Sequence, residues 1–273
     1  MSSMKTSTYN TSQPRGWSWA VWGATTGVFL ALLFGAPAQW IARALDQLSE
    51  GRLRLDNAKG TWWQGRARLT LTSGSQGRDA MRLPGWFHWR IGLGMKGPSI
   101  RMDFDCCTSS PLHWTTSVGL GGIRISLADQ ASASQWPIEL LTGLGAPWNT
   151  IQADGQMQLQ TRAFSLLWAQ GRIQWYGKTT IQLNNISSRL STLSPMGSYA
   201  LEIAGPATGT ATPEVNLTTT RGPLQLAGQG KWVGHRLRFS GQASADSGFE
   251  DVLNNLLNVI GRRNGNRSIL SIG

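Results

Sequence analysis

Residues 66–72 read RARLTLT, with apolar side chains recurring at every second position. A period of two places successive side chains on opposite faces of an extended chain, so it predicts a β-strand with one packed and one solvated face. The same alternation recurs at 52–55, 123–127, 156–160, 172–175, 180–183, 224–227 and 237–239. Turn-forming pairs lie between these stretches: Ser73-Gly74, Pro84-Gly85, Gly121-Gly122 and Asn184-Asn185. We therefore predict a mainly β fold built on a large, twisted antiparallel sheet.

One segment near the C-terminus departs from the strand pattern. Its apolar residues recur at helical spacing: Val252, Leu253, Leu256, Leu257 and Ile260. Ser247 and Glu250 match a capping box, while Gly261 followed by basic residues matches a helix end. We predict a short helix at about 248–261 that covers the end of the sheet, with a partner-binding helix as the alternative.

The N-terminal part carries a long uncharged run. Residues 16–42 contain no charged side chain, and the stretch 17–36 reads WSWAVWGATTGVFLALLFGA. This stretch has about the length that a helix needs to cross a hydrocarbon core of about 30 Å. Tryptophans lie at its two ends, where interfacial aromatic residues are common: Trp17, Trp19, Trp22 and Trp40.

The charges that flank this run predict its orientation. Lys5 and Arg15 are the only charged residues before it, so the positive-inside rule predicts a cytoplasmic N-terminus and places the bulk of the chain on the other side of the membrane. An alternative is a cleaved signal peptide, because Ala36-Pro37-Ala38 resembles a cleavage site. The predicted divisions are a cytoplasmic tail at 1–16, a transmembrane anchor at 17–36, a juxtamembrane helix or linker at 37–50 and a periplasmic β-rich domain at 51–273.

The charge and the cysteines limit the classes of function. The net charge is +11, but most cations fall singly and the tight groups are only pairs (Arg52 with Arg54, Arg66 with Arg68, Arg262 with Arg263), which argues against a nucleic-acid-binding protein. The two cysteines, Cys106 and Cys107, are adjacent, so a long-range disulfide within the chain is excluded. A vicinal disulfide and two free thiols remain open.

Motifs that resemble catalytic or nucleotide-binding sites fail on their context. Residues 92–97 match G-x-G-x-x-G, but Pro98 and a strand-like run follow where a dinucleotide site needs a helix. In residues 171–179 (GRIQWYGKT), five residues separate the glycines where a phosphate-binding loop requires four. The remaining candidates have no supporting ligands or partners in sequence: His88, His113, His235, and the pair Asp103 and Asp105. We therefore expect no enzyme, no cofactor and no metal site.

Several blocks of sequence resemble the type II secretion system protein N family. They are GTWWQGRA at 60–67, QGRIQW at 170–175, GSY at 197–199, GPLQL at 222–226, GQG at 228–230, FSGQA at 239–243 and GRR at 261–263. The residues that carry the resemblance are Gly60, Trp62, Trp63, Gly65, Gly171, Trp175, Gly197, Tyr199, Gly222, Leu224, Gly228, Gly241, Gly261, Arg262 and Arg263. The blocks follow in order along nearly the whole chain, and 74–135 is the least characteristic part.

The resemblance implies an inner-membrane accessory or assembly component of the type II secretion system, which supports export of folded periplasmic proteins across the outer membrane. The partners it implies are other inner-membrane and periplasmic components and membrane lipid. We interpret the motif residues as structural: Gly60 and Gly65 permit close backbone approach, while Trp62 or Trp63 fills the core. The alternative is an envelope lipid-binding or lipid-transfer protein, because the long alternation predicts an apolar β-groove with few helices to cover it.

Overall fold

The chain forms one extensive antiparallel sheet, as the alternation predicted. The computed structural model describes residues 17–74, 79–94, 97–145, 148–206, 212–233 and 236–273. Within these residues the sheet has 16 strands, and helices are few. The mainly β prediction is therefore confirmed.

The elements follow one another in a simple order. The strands are β1 (Leu53–Gly60), β2 (Gln64–Thr72), β3 (Ala80–Arg82), β4 (Phe87–Gly94), β5 (Gly97–Phe104), β6 (Leu112–Gly119), β7 (Gly122–Leu127), β8 (Ser134–Pro137), β9 (Ala153–Ala169), β10 (Arg172–Ser188), β11 (Gly197–Ala204), β12 (Glu214–Arg221), β13 (Leu224–Val233), β14 (Arg236–Ala245), β15 (Arg262–Asn264) and β16 (Arg267–Ile272). The helices are α1 (Trp17–Gly35), α2 (Gln39–Leu48), α3 (Trp148–Ile151), α4 (Glu250–Ile260) and a 3₁₀ helix at Ile138–Leu144.

The sheet is close to a continuous meander. Its strand order is β1-β2-β4-β5-β6-β7-β9-β10-β11-β12-β13-β14-β16-β15, with β3 paired to β2 and β8 paired to β9. Because neighbours in sequence are neighbours in space, short turns connect most pairs. The hairpins β4–β5, β6–β7, β9–β10 and β13–β14 all turn at the same end of their strands, at 94–97, 119–122, 169–172 and 233–236. We call this the hairpin end of the sheet.

The β9–β10 hairpin is the longest pairing. Its register runs from Arg172 opposite Ala169 to Ser188 opposite Ala153, with two shifts along the way. At the first shift Gly177 has φ +86°, and a Cβ there would lie 2.3 Å from the carbonyl oxygen of Ala163. Only glycine fits this close approach, and a bulge of this kind bends the strand and increases its twist.

Helix α4 covers the end of the sheet opposite the hairpin end. Leu253, Leu256 and Leu257 are buried and pack in one cluster with residues of β11, β13 and β14. The predicted capping box is not formed: Phe249 occupies the N-cap position without a side-chain hydrogen bond, and the Glu250 carboxylate accepts a hydrogen bond from the backbone N–H of Gly248 instead. The box failed because the helix begins at Glu250, too late for Ser247 to reach its first turn.

The N-terminal segments differ in how far they match the predictions. Helix α1 forms at Trp17–Gly35, and its described side chains are exposed. No helix within the described residues is long and apolar enough to cross a membrane, so the predicted transmembrane anchor is not confirmed. Helix α2 lies within the predicted juxtamembrane segment, and the predicted tail at 1–16 lies outside the described residues.

The adjacent cysteines form a disulfide, which selects one of the two alternatives left open by the sequence. Cys107 is buried and packs with Leu83, Phe104 and Leu140, the last from the 3₁₀ helix. The loop between β5 and β6 is therefore part of a packed cluster at the end of the sheet opposite the hairpins.

Truncation of the buried face of α4 is expected to destabilise the sheet. Leu257 is fully buried, so Leu257→Ala should lower the free energy of unfolding by about 2–5 kcal/mol through lost burial and a residual cavity. Val259 on the same helix is 42% exposed, and Val259→Ala should change stability by about 0.5 kcal/mol or less. Urea unfolding of the two purified variants tests this; equal effects would contradict the packing of α4 on the sheet.

Candidate functional site

The first group of motif residues joins the helices to the sheet. The turn between β1 and β2 is bonded to the link between α1 and α2: the N–H of Ala38 donates to the carbonyl of Gly60, and the N–H of Trp62 donates to the carbonyl of Ala36, both at 3.0 Å. An isolated bridge between Pro37 and the same turn completes the contact. The end of α1 is thus held at the edge of the sheet by main-chain hydrogen bonds.

Two glycines allow this junction to close. Gly60 has φ +98°, and a Cβ there would lie 2.5 Å from the carbonyl oxygen of Gln64. A Cβ on Gly65 would lie 2.4 Å from Cζ2 of Trp89 on the neighbouring strand. Both distances are too short for a Cβ atom, so Gly60 allows the backbone of the turn to approach and Gly65 allows the indole ring of Trp89 to approach.

A different tryptophan fills the core beside this turn. Trp89 is 5% exposed, and its indole N–H donates to the carbonyl oxygen of Trp62 at 3.1 Å. Trp62 and Trp63 are only half-buried and lie against each other, with ring centroids 3.8 Å apart. The prediction that Trp62 or Trp63 fills the core is therefore wrong. The alternation of Phe87, Trp89 and Ile91 was the sequence signal that marked the buried ring.

The second group surrounds the cluster under α4. Gly222 has φ +110°, and a Cβ there would lie 2.3 Å from Cα of Gly197. A Cβ on Gly197 would in turn lie 2.6 Å from the hydroxyl oxygen of Tyr199. Tyr199 and Leu224 are each 3% exposed and belong to the same buried cluster. These motif residues, separated in sequence, thus meet at one point of the fold.

Tyr199 brings an unusual polar atom into this cluster. Among the described residues its hydroxyl has no hydrogen-bond partner, although the atom is buried. Burial raises the pKa of the Tyr199 phenol well above its usual range, because the phenolate would lose its hydration. The hydroxyl is therefore held protonated and has no described group with which to exchange a proton.

The remaining motif residues of the C-terminal part lie on β13–β16. Gly228 and Gly241 face each other across β13 and β14, and a Cβ on Gly228 would lie 2.3 Å from Cζ of Phe239, so this ring rests on the glycine surface. Gly261 follows the last residue of α4. Arg262 and Arg263 lie on β15 and are exposed.

Gly171 and Trp175 belong to the β9–β10 hairpin. Gly171 has φ +72° in the turn, as a tight hairpin requires. Trp175 packs edge-to-face against Phe164, with ring centroids 5.0 Å apart, and lies 6.2 Å from Trp232. Phe164 also contacts Trp114 at 5.9 Å. A row of aromatic rings therefore crosses the middle of the apolar face from β6 to β13.

Most of the candidate polar residues lie on β4, β5 and β6, where His88 is opposite Asp103 in the register and both line a cavity of about 330 Å³. His88 Nε2 lies 3.1 Å from Asp105 Oδ1 on the exposed surface, while Asp103 accepts a hydrogen bond from Thr108 at 2.7 Å. His113 lies beside Arg101, and His235 is outside the described residues. In the described part of the chain no group of three or more potential ligands is placed to hold a metal ion.

The two nucleotide-like motifs lie in hairpins. Residues 92–97 form the β4–β5 turn region, of which 95–96 are outside the described residues, and residues 171–179 run along β10. Neither begins a helix, so neither presents the row of backbone N–H groups that binds a phosphate.

Comparison with known protein families identifies a family whose model matches most of the chain. The family model described as type II secretion system (T2SS), protein N matches residues 51–270, which confirms the resemblance seen in the sequence blocks. No curated protein and no solved structure gives a significant match.

Filling the junction glycine is expected to damage the packing of Trp89. In Gly65→Ala the new methyl group would overlap the indole ring, so the free energy of unfolding should fall by about 1–3 kcal/mol. The matched control is Gly119→Ala, also in a strand, where nothing lies within 4 Å of the new Cβ. Denaturant unfolding measures both; a Gly65→Ala variant as stable as the control would show that the approach is not required.

Removal of the Tyr199 hydroxyl is expected to be tolerated and to change the alkaline stability. Because the hydroxyl is unpaired, Tyr199→Phe should stay within about 1 kcal/mol of the native protein at neutral pH. Because the pKa of Tyr199 is raised in the folded state, the contribution of this residue to the free energy of unfolding is constant below the unfolded pKa of about 10. That contribution falls as the pH rises above this value. Tyr199→Phe should reduce this fall; urea midpoints of the variant and the native protein at neutral and alkaline pH measure it, and an equal fall in both would contradict the prediction.

Proposed function

The chain belongs to the type II secretion system protein N family, and we propose from this that it is an inner-membrane accessory or assembly component of the apparatus. The single observation that carries the proposal is the family match over 51–270, which covers the sheet except for the last two residues of β16. In this role the protein supports export of folded periplasmic proteins across the outer membrane by contacting other components of the system.

The use of the motif residues supports a structural rather than a chemical role. Gly65, Gly197, Gly222 and Gly228 each lie where another backbone or an aromatic ring approaches too closely for a side chain. Such residues hold a particular surface shape, which is what a scaffold presents to its partners. That these motif residues are structural stays a prediction, which the Gly65→Ala experiment tests.

Attachment to the inner membrane is part of the proposal. Its support is helix α1, whose described side chains are exposed and include Phe29 at 64% and Phe34 at 65%, without a charge between residues 16 and 42. Uncovered apolar side chains of this size are typical of a lipid environment. We propose that residues 1–16 lie in the cytoplasm and that the sheet lies in the periplasm.

A deletion strain tests the proposal. Without this gene, substrates of type II secretion should accumulate in the periplasm and decrease in the medium, and the native gene should restore export. A variant in which a cleavable signal peptide replaces residues 1–36 should reach the periplasm but restore export poorly, because it lacks attachment. Unchanged export of every substrate, together with failure to co-purify any component of the apparatus, would overturn the proposal.

The alternative of a lipid-carrying groove has less support. A cavity of about 830 Å³ is lined mainly by polar and charged side chains, among them Asp79, Glu139, Asn149 and Asp154. Acyl chains require an apolar lining, so this cavity does not suit them. Over the middle of the apolar face, the aromatic rings of Trp114, Phe164, Trp175 and Trp232 already contact one another.

A further inference from the structure

The hairpin end of the sheet exposes a compact group of apolar side chains. Val118, Ile123, Trp168 and Ile173 lie directly opposite one another on β6, β7, β9 and β10. Val118 is 75% exposed, Trp168 56% and Ile173 72%, and Leu120 in the β6–β7 turn is fully exposed. We call these five residues the tip patch. Large apolar side chains grouped at one surface usually mark a contact with another apolar phase or partner.

The tip patch continues the packed face of the sheet. One step inward, Ile125, Leu166 and Trp175 form the next row across β7, β9 and β10. Trp175 there contacts Phe164, so the inner row is held by the aromatic cluster. The tip patch is therefore presented on a rigid support and does not have a neighbouring element that covers it among the described residues.

The charge around the tip patch has one sign. The hairpin stretches 90–101, 115–125 and 166–175 contain no Asp or Glu. Their cations are Arg90, Lys96, Arg101, Arg124 and Arg172. Because β-strand side chains alternate, Arg90, Arg101 and Arg124 lie on the face opposite the apolar row, and so does Arg172, which directly precedes Ile173 at the start of β10. Exposed apolar residues with cations and no acids are complementary to an anionic membrane surface.

Helix α1 leaves the sheet at this same end. Gln64, at the end of the β1–β2 turn, is opposite Arg90 on β4, four residues before the β4–β5 turn. Ala36, the first residue after α1, accepts a hydrogen bond from the backbone N–H of Trp62 in this turn. The hairpin turns and the end of α1 therefore lie at the same end of the strands.

We infer that the tip patch docks onto the anionic surface of the membrane that holds α1. The side chains of Leu120, Trp168 and Ile173 enter the boundary between headgroups and acyl chains, and Arg172 contacts lipid phosphates. Insertion stops at this depth because the turn backbones keep unpaired polar groups that need water or headgroups. Trp168 suits this position, since an indole ring is favoured at the interface. The inference extends the proposed function by stating which end of the sheet faces the membrane, and it rests on the attachment through α1.

Environment-sensitive labels on the full-length protein test the inference. A single cysteine carrying nitrobenzoxadiazole is introduced as Leu120→Cys at the tip, as Leu30→Cys in α1, or as Thr192→Cys in the exposed β10–β11 loop at the other end of the sheet. The native cysteines are joined in a disulfide and do not take the label. Each protein is reconstituted into vesicles of phosphatidylethanolamine with phosphatidylglycerol, and into vesicles of phosphatidylcholine alone, with and without doxyl-labelled lipid.

The expected result separates the two proposals. The labels at 30 and 120 should show blue-shifted emission and quenching by doxyl lipid, and the label at 192 should show neither. The shift at 120 should be larger with phosphatidylglycerol, and adding Arg172→Gln should reduce it.

If the label at 30 is not quenched, the attachment through α1 is wrong. If the label at 30 is quenched but the label at 120 is not, or if neutral vesicles give an equal shift at 120, docking of the tip patch on an anionic surface is overturned. A blue shift at 120 without lipid quenching would indicate a protein partner and would also overturn it.

Discussion

The pairing between β9 and β10 is the interaction on which the rest of the sheet depends. Each strand has 17 residues, far longer than most strands, so this pair of strands is long enough to hydrogen-bond with several neighbouring strands. On one side β7 pairs with the turn-proximal part of β9 and β8 pairs with the opposite part; on the other side β11 pairs with β10. In the hydrogen-bonded order of the sheet, the strands before β9 and those after β10 are joined through this ladder, and Ile138 of the 3₁₀ helix also packs in the cluster under α4. The bulge at Gly177 bends it without breaking it.

The two ends of the sheet are built differently, and this difference organises the molecule. Opposite the hairpin turns, the apolar face is covered: α4 packs on the C-terminal strands, and the 3₁₀ helix and the disulfide loop pack on the N-terminal ones. At the hairpin end α2 packs on the N-terminal strands only, against Ala67 and Trp89, and Val118, Trp168 and Ile173 of the central strands remain exposed. A sheet face that is apolar along its whole length needs a cover at both ends, which is why the uncovered end is a site for a contact outside the chain.

Much of the fold could be predicted from the sequence, but little of the motif geometry could. Alternation at 66–72 and elsewhere predicted an antiparallel, mainly β chain, because the strand period is a local property. The capping box at Ser247 was wrong because the first turn of α4 is set by the packing of its leucines on the sheet. The block at 60–67 led to the prediction that Trp62 or Trp63 fills the core. Trp89 is buried instead, since it points from β4 onto Gly65 of the next strand.

By itself, the sequence determined the properties that depend on near neighbours or on the order of blocks: the strand alternation, the turns and the resemblance to the protein N family, which the family match confirmed. Only the tertiary structure decided which strands are neighbours, how Gly197 meets Gly222, and that the hairpin turns and the end of α1 lie at the same end of the strands. The physical reason is register. Cross-strand pairing and bulges depend on contacts between residues far apart in the chain, and a shift by one residue would place every side chain on the other face.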